Sequence, residues 1–362
     1  MQIDLISVII GFRRRPTPED SRSIIAQRGE IKYVYTLIDA IAAKIPQTAI
    51  DALRRNPNVE YVETDEKVFT TITEQPYQIN ILQQTIPWGI DRIGAIAVHP
   101  YTKGTAIKVS VIDTGIDYTH PDLSANYKGG YNFITNTPNP MDDNGHGTHV
   151  SGTIAAIDND IGVIGVAPEA YLYGVKVLDS TGSGYVSDVI SGIQWSVDNA
   201  MRIANMSLGS RVSSKSLKNA CDNAYNRGLL LIASAGNSGN VSGTGNNVNY
   251  PARYDSVIAV AATDINNVRA WWSSTGPSVE LSAPGVNIQS TLPGNRYGIA
   301  SGTSMAAPHV TGTAALIMAY NPMFTNVQTR VRMQITATNL GTAGKDNLYG
   351  YGLVNAYRAV LG

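Results

Sequence analysis

Apolar positions along the chain follow two regimes. Up to about residue 68, short β-rich runs alternate with two helical stretches. Residues 3–11 are apolar and β-rich, and residues 17–20, Thr-Pro-Glu-Asp, join a capping residue, a proline at the first helical position and acids in the first turn, which predicts a helix. Residues 31–36 and 39–45 read as two strands, Pro46 opens a second helix over 47–55, and 59–63 returns as a strand. This βαββαβ order is the ferredoxin-like plan, which serves many unrelated functions. Residues 71–86 hold no sustained period and read as a linker and N-terminal extension. Beyond them, apolar runs at 107–112, 171–177, 203–207, 229–233 and 256–261 alternate with helical patterns from about His146, over 185–200 and over 213–227. Strands apolar on both faces predict a parallel sheet covered by helices, an α/β domain. Ligands of such sheets gather beyond the carboxyl ends of the strands.

At 362 residues the chain exceeds one domain of about 150, so the two regimes are read as two domains, residues 1–70 and 87–362. A net charge of −1, with both signs mixed, carries no electrostatic footprint for nucleic acid or an anionic membrane, and neither partner is expected. The single cysteine, Cys221, excludes an intrachain disulfide and a cysteine metal cluster. Asp4 stands where a basic n-region would lie and the first apolar run is short, so no signal segment is read at the start of the sequence.

Candidate chemistry falls at the ends of the predicted strands. Ser304, behind Gly302 and Thr303 and ahead of a helical run, sits where free backbone N–H groups and the positive helix end stabilise negative charge. It reads as a nucleophile or as a plain N-cap. Pro308 is expected within the first turn of that helix, where a missing N–H costs little. Asp113 closes a strand before Thr114-Gly115, as a reactive carboxylate or a turn residue. His146, between Gly145 and Gly147 at a helix start, is disfavoured as a cation and so suits a proton acceptor. The His146–His149 spacing also hints at zinc, but a glutamate base and further ligands are missing, and His149 reads as structural. Asn237 follows a buried strand and can offer its amide to an oxyanion, although Gly-Asn is also a turn signal.

Taken together, Asp113-Thr114-Gly115, His146-Gly147-Thr148-His149 and Gly302-Thr303-Ser304-Met305-Ala306-Ala307-Pro308-His309 resemble the three signatures of the subtilisin-like serine proteases (subtilases), in that family's order of acid, base and nucleophile. Departures are confined to the leading residues of Asn205-Met206-Ser207-Leu208-Gly209 and Ser234-Ala235-Gly236-Asn237. The resemblance implies a serine endopeptidase of broad specificity with a triad of Asp113, His146 and Ser304 and an oxyanion donor in Asn237. Polypeptide substrates are implied to lie between Gly182-Ser183-Gly184 and Ser207-Leu208-Gly209, which otherwise read as Gly-rich turns. Residues 1–70 then resemble an inhibitory propeptide, cut off by the chain's own site near Thr70 or Thr71. A structural Ca²⁺ is implied at Gln84, Asp122 and Asn159 with carbonyls of Ile157, Ile161 and Val163; the bland alternative is a polar turn without metal. Secretion and a monomeric state are further family expectations. The rival reading is a catalytically inactive relative that only binds. A nucleotide-binding reading of Gly182-Ser183-Gly184-Tyr185-Val186-Ser187 lacks the third glycine of the fingerprint.

Overall fold

The computed structural model describes residues 4–74, 76–81 and 83–362. The expected strand start at Ile3, and Gln75 and Leu82 of the expected linker, lie outside the described residues.

The N-terminal domain comprises β1 (Leu5–Phe12), α1 (Pro18–Ala26), β2 (Glu30–Val34), β3 (Ala40–Pro46), α2 (Gln47–Arg54) and β4 (Val59–Thr64). Its strands pair antiparallel in the order β2-β3-β1-β4, the ferredoxin-like arrangement. Successive side chains point to opposite faces and both faces are covered, which explains why β1 and β3 are apolar apart from Ser7 and the exposed Lys44. Val8, Ile10 and Ile41 face α1 and α2 over Ile24 and Leu53, whereas Ile9, Ala40 and Ala42 join a core shared with the larger domain.

The rest of the chain runs β5 (Lys67–Thr70), β6 (Tyr77–Ile79), α3 (Trp88–Arg92), β7 (Lys108–Asp113), β8 (Tyr127–Asn132), α4 (His146–Ala155), β9 (Tyr171–Lys176), β10 (Ser183–Tyr185), α5 (Val186–Asp198), β11 (Ile203–Met206), β12 (Leu208–Gly209) and α6 (Lys215–Asn226). There follow β13 (Leu230–Ser234), β14 (Val257–Thr263), β15 (Val279–Pro284), β16 (Ile288–Leu292), β17 (Arg296–Ala300), α7 (Thr303–Tyr320), α8 (Asn326–Thr336) and α9 (Ala356–Leu361). Seven strands form one parallel sheet, β15-β14-β13-β11-β7-β9-β8. The chain builds outward from β7 first through β9 and β8, then through β11 on its other side. That reversal puts a topological switch point at the carboxyl end of β7, where a crevice opens.

Two of the expectations need correction. The 71–86 stretch is not featureless: β6 adds to the β16–β17 hairpin through Tyr77↔Ile299, Gln78↔Gly298 and Ile79↔Tyr297. A three-residue strand with two exposed side chains has no period of its own to display. Pro308 lies not in the first turn of α7 but at its sixth residue. The N–H it lacks would have met the carbonyl of Ser304, and that oxygen instead accepts the Ser207 hydroxyl at 2.9 Å.

Candidate active site

Asp113 is the last residue of β7 and is fully buried at the switch point. His146 opens α4, and its Nδ1 lies 2.7 Å from Asp113 Oδ1. The loop joining them is organised by Asp142. Its carboxylate accepts from Thr114 Oγ1 at 2.9 Å, from the N–H groups of Asn144, Gly145 and Thr148 at 3.0, 2.9 and 2.9 Å, and from Thr148 Oγ1 at 2.6 Å. A carboxylate so saturated fixes where the His146 helix begins. His149 points elsewhere: its Nε2 meets the Ile288 carbonyl at 3.0 Å, and burial pushes its pKa down to about 3.

Ser304 is the second residue of α7, one of whose free N–H groups is its own. Its N–H and the Asn237 side chain converge on one oxygen, the carbonyl of Thr71, at 3.2 and 2.8 Å. Thr303 sets the Asn237 amide the right way round, since its N–H and hydroxyl donate to Asn237 Oδ1 at 3.1 and 2.9 Å and leave Nδ2 to face Thr71. The carbonyl enters this corner because position 302 is glycine: a Cβ there would stand 2.5 Å from the Thr71 oxygen.

The chain leading to Thr71 lies in the crevice as an added strand. β5 pairs antiparallel with β10 on one edge (Lys67↔Tyr185, Val68↔Gly184, Phe69↔Ser183) and with β12 on the other (Phe69↔Gly209, Thr70↔Leu208). The Thr70 N–H donates to Gly182 O at 3.1 Å and the Thr71 N–H to Ser207 O at 3.4 Å. Val68 is fully buried against the apolar side chains below, whereas Phe69 is half exposed. On the far side of Thr71, the Thr73 N–H donates to Ser301 O at 2.9 Å. Gly182, Ser183, Gly184, Ser207, Leu208 and Gly209 thus all border one extended segment, held by its backbone.

The N-terminal domain meets the larger one through two helix ends. Asp65 accepts from the Ser187 N–H at 2.8 Å and its hydroxyl at 2.6 Å, at the start of α5. Glu63 accepts from Ser214 Oγ at 2.7 Å and from the N–H groups of Lys215 and Ser216 at 2.9 and 3.0 Å, at the start of α6. Both carboxylates satisfy helix N–H groups that have no partner within the helix. Burial is the larger influence on Asp65, whose pKa is pushed up to about 6 despite those donors.

The residues named for a cation also meet. The Gln84 side chain reaches the Ile157 carbonyl at 2.9 Å and Asn159 Oδ1 at 3.4 Å, Asn159 Nδ2 donates to Asp122 Oδ1 at 3.0 Å, and the Val163 N–H donates to Asp122 Oδ2 at 3.0 Å. Ile161 joins through its N–H on Asn159 Oδ1 at 2.9 Å. Gly162, with φ +60°, lets the loop close over Asp122 and Tyr297, both of which a Cβ would strike. One buried carboxylate among amide and carbonyl oxygens is a donor set suited to a hard cation. Among the described residues, no group of three or more His, Cys, Asp or Glu side chains is placed to hold a metal.

Residues 104–352 match the Subtilase family, and residues 14–71 match Peptidase inhibitor I9. The chain is 45% identical to subtilisin E of Bacillus subtilis over 358 residues, covering 97% of this chain and 89% of that protein. It is 45% identical to an alkaline protease of Shouchella clausii over 353 residues (96% and 87%) and 47% identical to a thermostable alkaline protease of Halalkalibacterium halodurans over 331 residues (91% and 85%).

Proposed function

The chain belongs to the subtilase family and is a serine endopeptidase carrying an I9 propeptide; from that premise we propose that Ser304, His146 and Asp113 form its triad, and that its first substrate is its own Thr71–Ile72 bond. The observation that carries this reading is the Thr71 carbonyl, whose oxygen takes both Asn237 Nδ2 and the Ser304 N–H while the residues before it fill the crevice as β5. Ser304 Oγ forms a bond to the carbonyl carbon as its proton passes to His146 Nε2. Asp113, on Nδ1, holds the tautomer and stabilises the imidazolium. Negative charge on the carbonyl oxygen meets Asn237 and the Ser304 N–H. The C–N bond breaks as His146 gives its proton to the leaving nitrogen. Water then attacks the acyl-enzyme by the same route, giving up a proton to His146 and releasing Ser304.

Recognition through backbone pairing on two edges favours many polypeptide sequences, so specificity is broad. After cleavage the propeptide stays bound as an inhibitor through β5 and the contacts at α5 and α6. The inactive-relative alternative has no observation in its favour. Gln84, Asp122 and Asn159, with the carbonyls of Ile157, Ile161 and Val163, would hold a structural Ca²⁺, which would supply no chemistry to the cut; the contacts of Gln84 with Ile157 and Asn159 already join the segment ahead of α3 to the loop after α4. Among the described residues no helix is long and apolar enough to cross a membrane. Secretion and a monomeric working form complete the proposal, and recovery of the processed chain from culture medium at monomer mass is their test. For the site itself, a fluorophosphonate is expected to label processed protein at Ser304, and Ser304→Ala to abolish nearly all peptidase activity while keeping the fold. Near-normal hydrolysis by Ser304→Ala would remove the nucleophile assignment.

A further inference from the structure

Ser234 closes β13 and is fully buried, with no part in the mechanism above. Its hydroxyl lies 2.6 Å from the Thr71 hydroxyl, which lies 2.8 Å from Ser304 Oγ, which in turn donates to the Ser207 carbonyl at 3.0 Å. Each hydroxyl owns one proton, so the directions follow from the end of the row. A carbonyl only accepts, which commits the Ser304 proton to Ser207. Thr71 must then donate to Ser304, and Ser234 to Thr71. The other acceptor for Ser234, the Met206 carbonyl, is 3.5 Å away and does not compete. Ser304 Oγ also takes the Thr71 N–H at 3.1 Å, so both of its lone pairs are engaged, while His146 Nε2 has no hydrogen-bond partner among the described residues.

We propose that Ser234 makes this pocket a reader of a hydroxyl on the residue whose carbonyl is attacked, and that such a hydroxyl binds well while slowing acylation. Thr or Ser at that place completes the row from Ser234 to Ser207 and holds the nucleophile turned from its base. To react, Ser304 must leave the row, giving up the hydrogen bond from Thr71 and turning its proton to His146. A ground-state interaction lost before the transition state lowers KM and kcat together. In the uncleaved chain the same row acts as a brake on self-cleavage, set by Thr71. The inference rests on the reading that Ser304 cuts Thr71–Ile72.

The test is the rate at which the full-length chain cuts itself, followed by mass spectrometry, in wild type, Thr71→Val, Thr71→Ser, Ser234→Ala and the Thr71→Val/Ser234→Ala pair. Val keeps the shape of Thr and removes the hydroxyl. One neutral hydrogen bond corresponds to about three- to tenfold, so Thr71→Val should cut faster by about that factor, and Ser234→Ala by a smaller one, because it frees the Thr71 hydroxyl to turn but leaves its bond to Ser304 possible. The pair should gain no more than Thr71→Val alone, because Ser234 acts only through the Thr71 hydroxyl. Thr71→Ser should stay near the wild-type rate. On the processed enzyme, peptides with Thr before the cut bond should show lower KM and lower kcat than those with Val, a split that Ser234→Ala narrows. Equal rates for wild type and Thr71→Val at the Thr71–Ile72 bond overturn the inference alone, as does a gain that persists undiminished on top of Ser234→Ala. A cut at another bond overturns the reading of the site, and this inference with it. Thr71→Val leaves the catalytic domain untouched and decides the matter even if Ser234→Ala fails to fold.

Discussion

At the scale of the residue, the candidate site divides into side chains that would do the chemistry and side chains that hold them in place. Asp113 closes a strand, Asn237 follows one, and His146 and Ser304 lie at helix starts, positions that hydrophobic periodicity and turn residues mark in the sequence. Asp142 carries no such mark, and Thr303, although it opens α7, gives no sign in the sequence that it serves Asn237. Asp142 sits in an Asp-Asp-Asn-Gly run of the kind common to surface turns, and only the folded loop shows it gathering the N–H groups on either side of His146. Thr303 acts by turning the Asn237 amide. Asn237→Ala is expected to keep the triad and lose turnover by roughly 10²–10³, a magnitude known from removing such a donor in a subtilisin and not deduced from the distances here. The loss should fall on kcat with KM little changed, which steady-state kinetics on a peptide substrate will show; a loss in KM alone would mean that the amide only binds substrate.

Among the elements, those with their own period emerged from the sequence and those completed by a neighbour did not. The six elements of the N-terminal domain and the central strands show their apolar faces directly, whereas β5, β6, β10 and β12 are two to four residues long and exist through pairing across the chain. The docked carboxylates were equally hidden, because Glu63 and Asp65 cap helices more than 100 residues away. Asp65 makes docking pH-dependent. Its pKa rises from 3.8 to about 6 on burial, so the docked state favours the neutral acid. The stability it contributes is full below about pH 4 and is lost as pH rises through about 6. In thermal unfolding of the Ser304→Ala chain, the melting temperature relative to an added Asp65→Asn substitution should therefore fall between pH 4 and 6 and level off above; a difference independent of pH would contradict this. The loop around Asp122 makes a second element-scale prediction. A cation that binds only the folded state at a hundredfold excess over Kd adds about 2.7 kcal/mol. Chelation should lower the melting temperature of the wild-type chain, and Asp122→Ala should blunt that fall. No change after exhaustive removal of metal would count against the site.

For the whole molecule, the proposed function makes the uncleaved chain an enzyme bound to its own substrate. The N-terminal domain shares a core with α5 and α6, and its tail lies across the active site as β5. Tethering makes entry unimolecular, so occupancy needs no exceptional intrinsic affinity. Downstream, Thr73 is held by Ser301, β6 by β17, and Gln84 and Thr85 by Asp160 and Gly162, so the chain is anchored on both sides of the bond presented to Ser304. The hydrophobic pattern changes near residue 70, and the family resemblance placed the bond near Thr70 or Thr71 without choosing between them. Its place depends on which carbonyl reaches Asn237, and strand register sets that with no local signal in Thr70 or Thr71. The most direct test is therefore to sequence the new N-terminus formed when purified chain processes itself, in wild type and in Ser304→Ala with no other protease present. The wild-type product should begin at Ile72 and its released partner end at Thr71, with Ser304→Ala remaining whole. A first cut at any other bond, or the same cut in Ser304→Ala, would contradict the account.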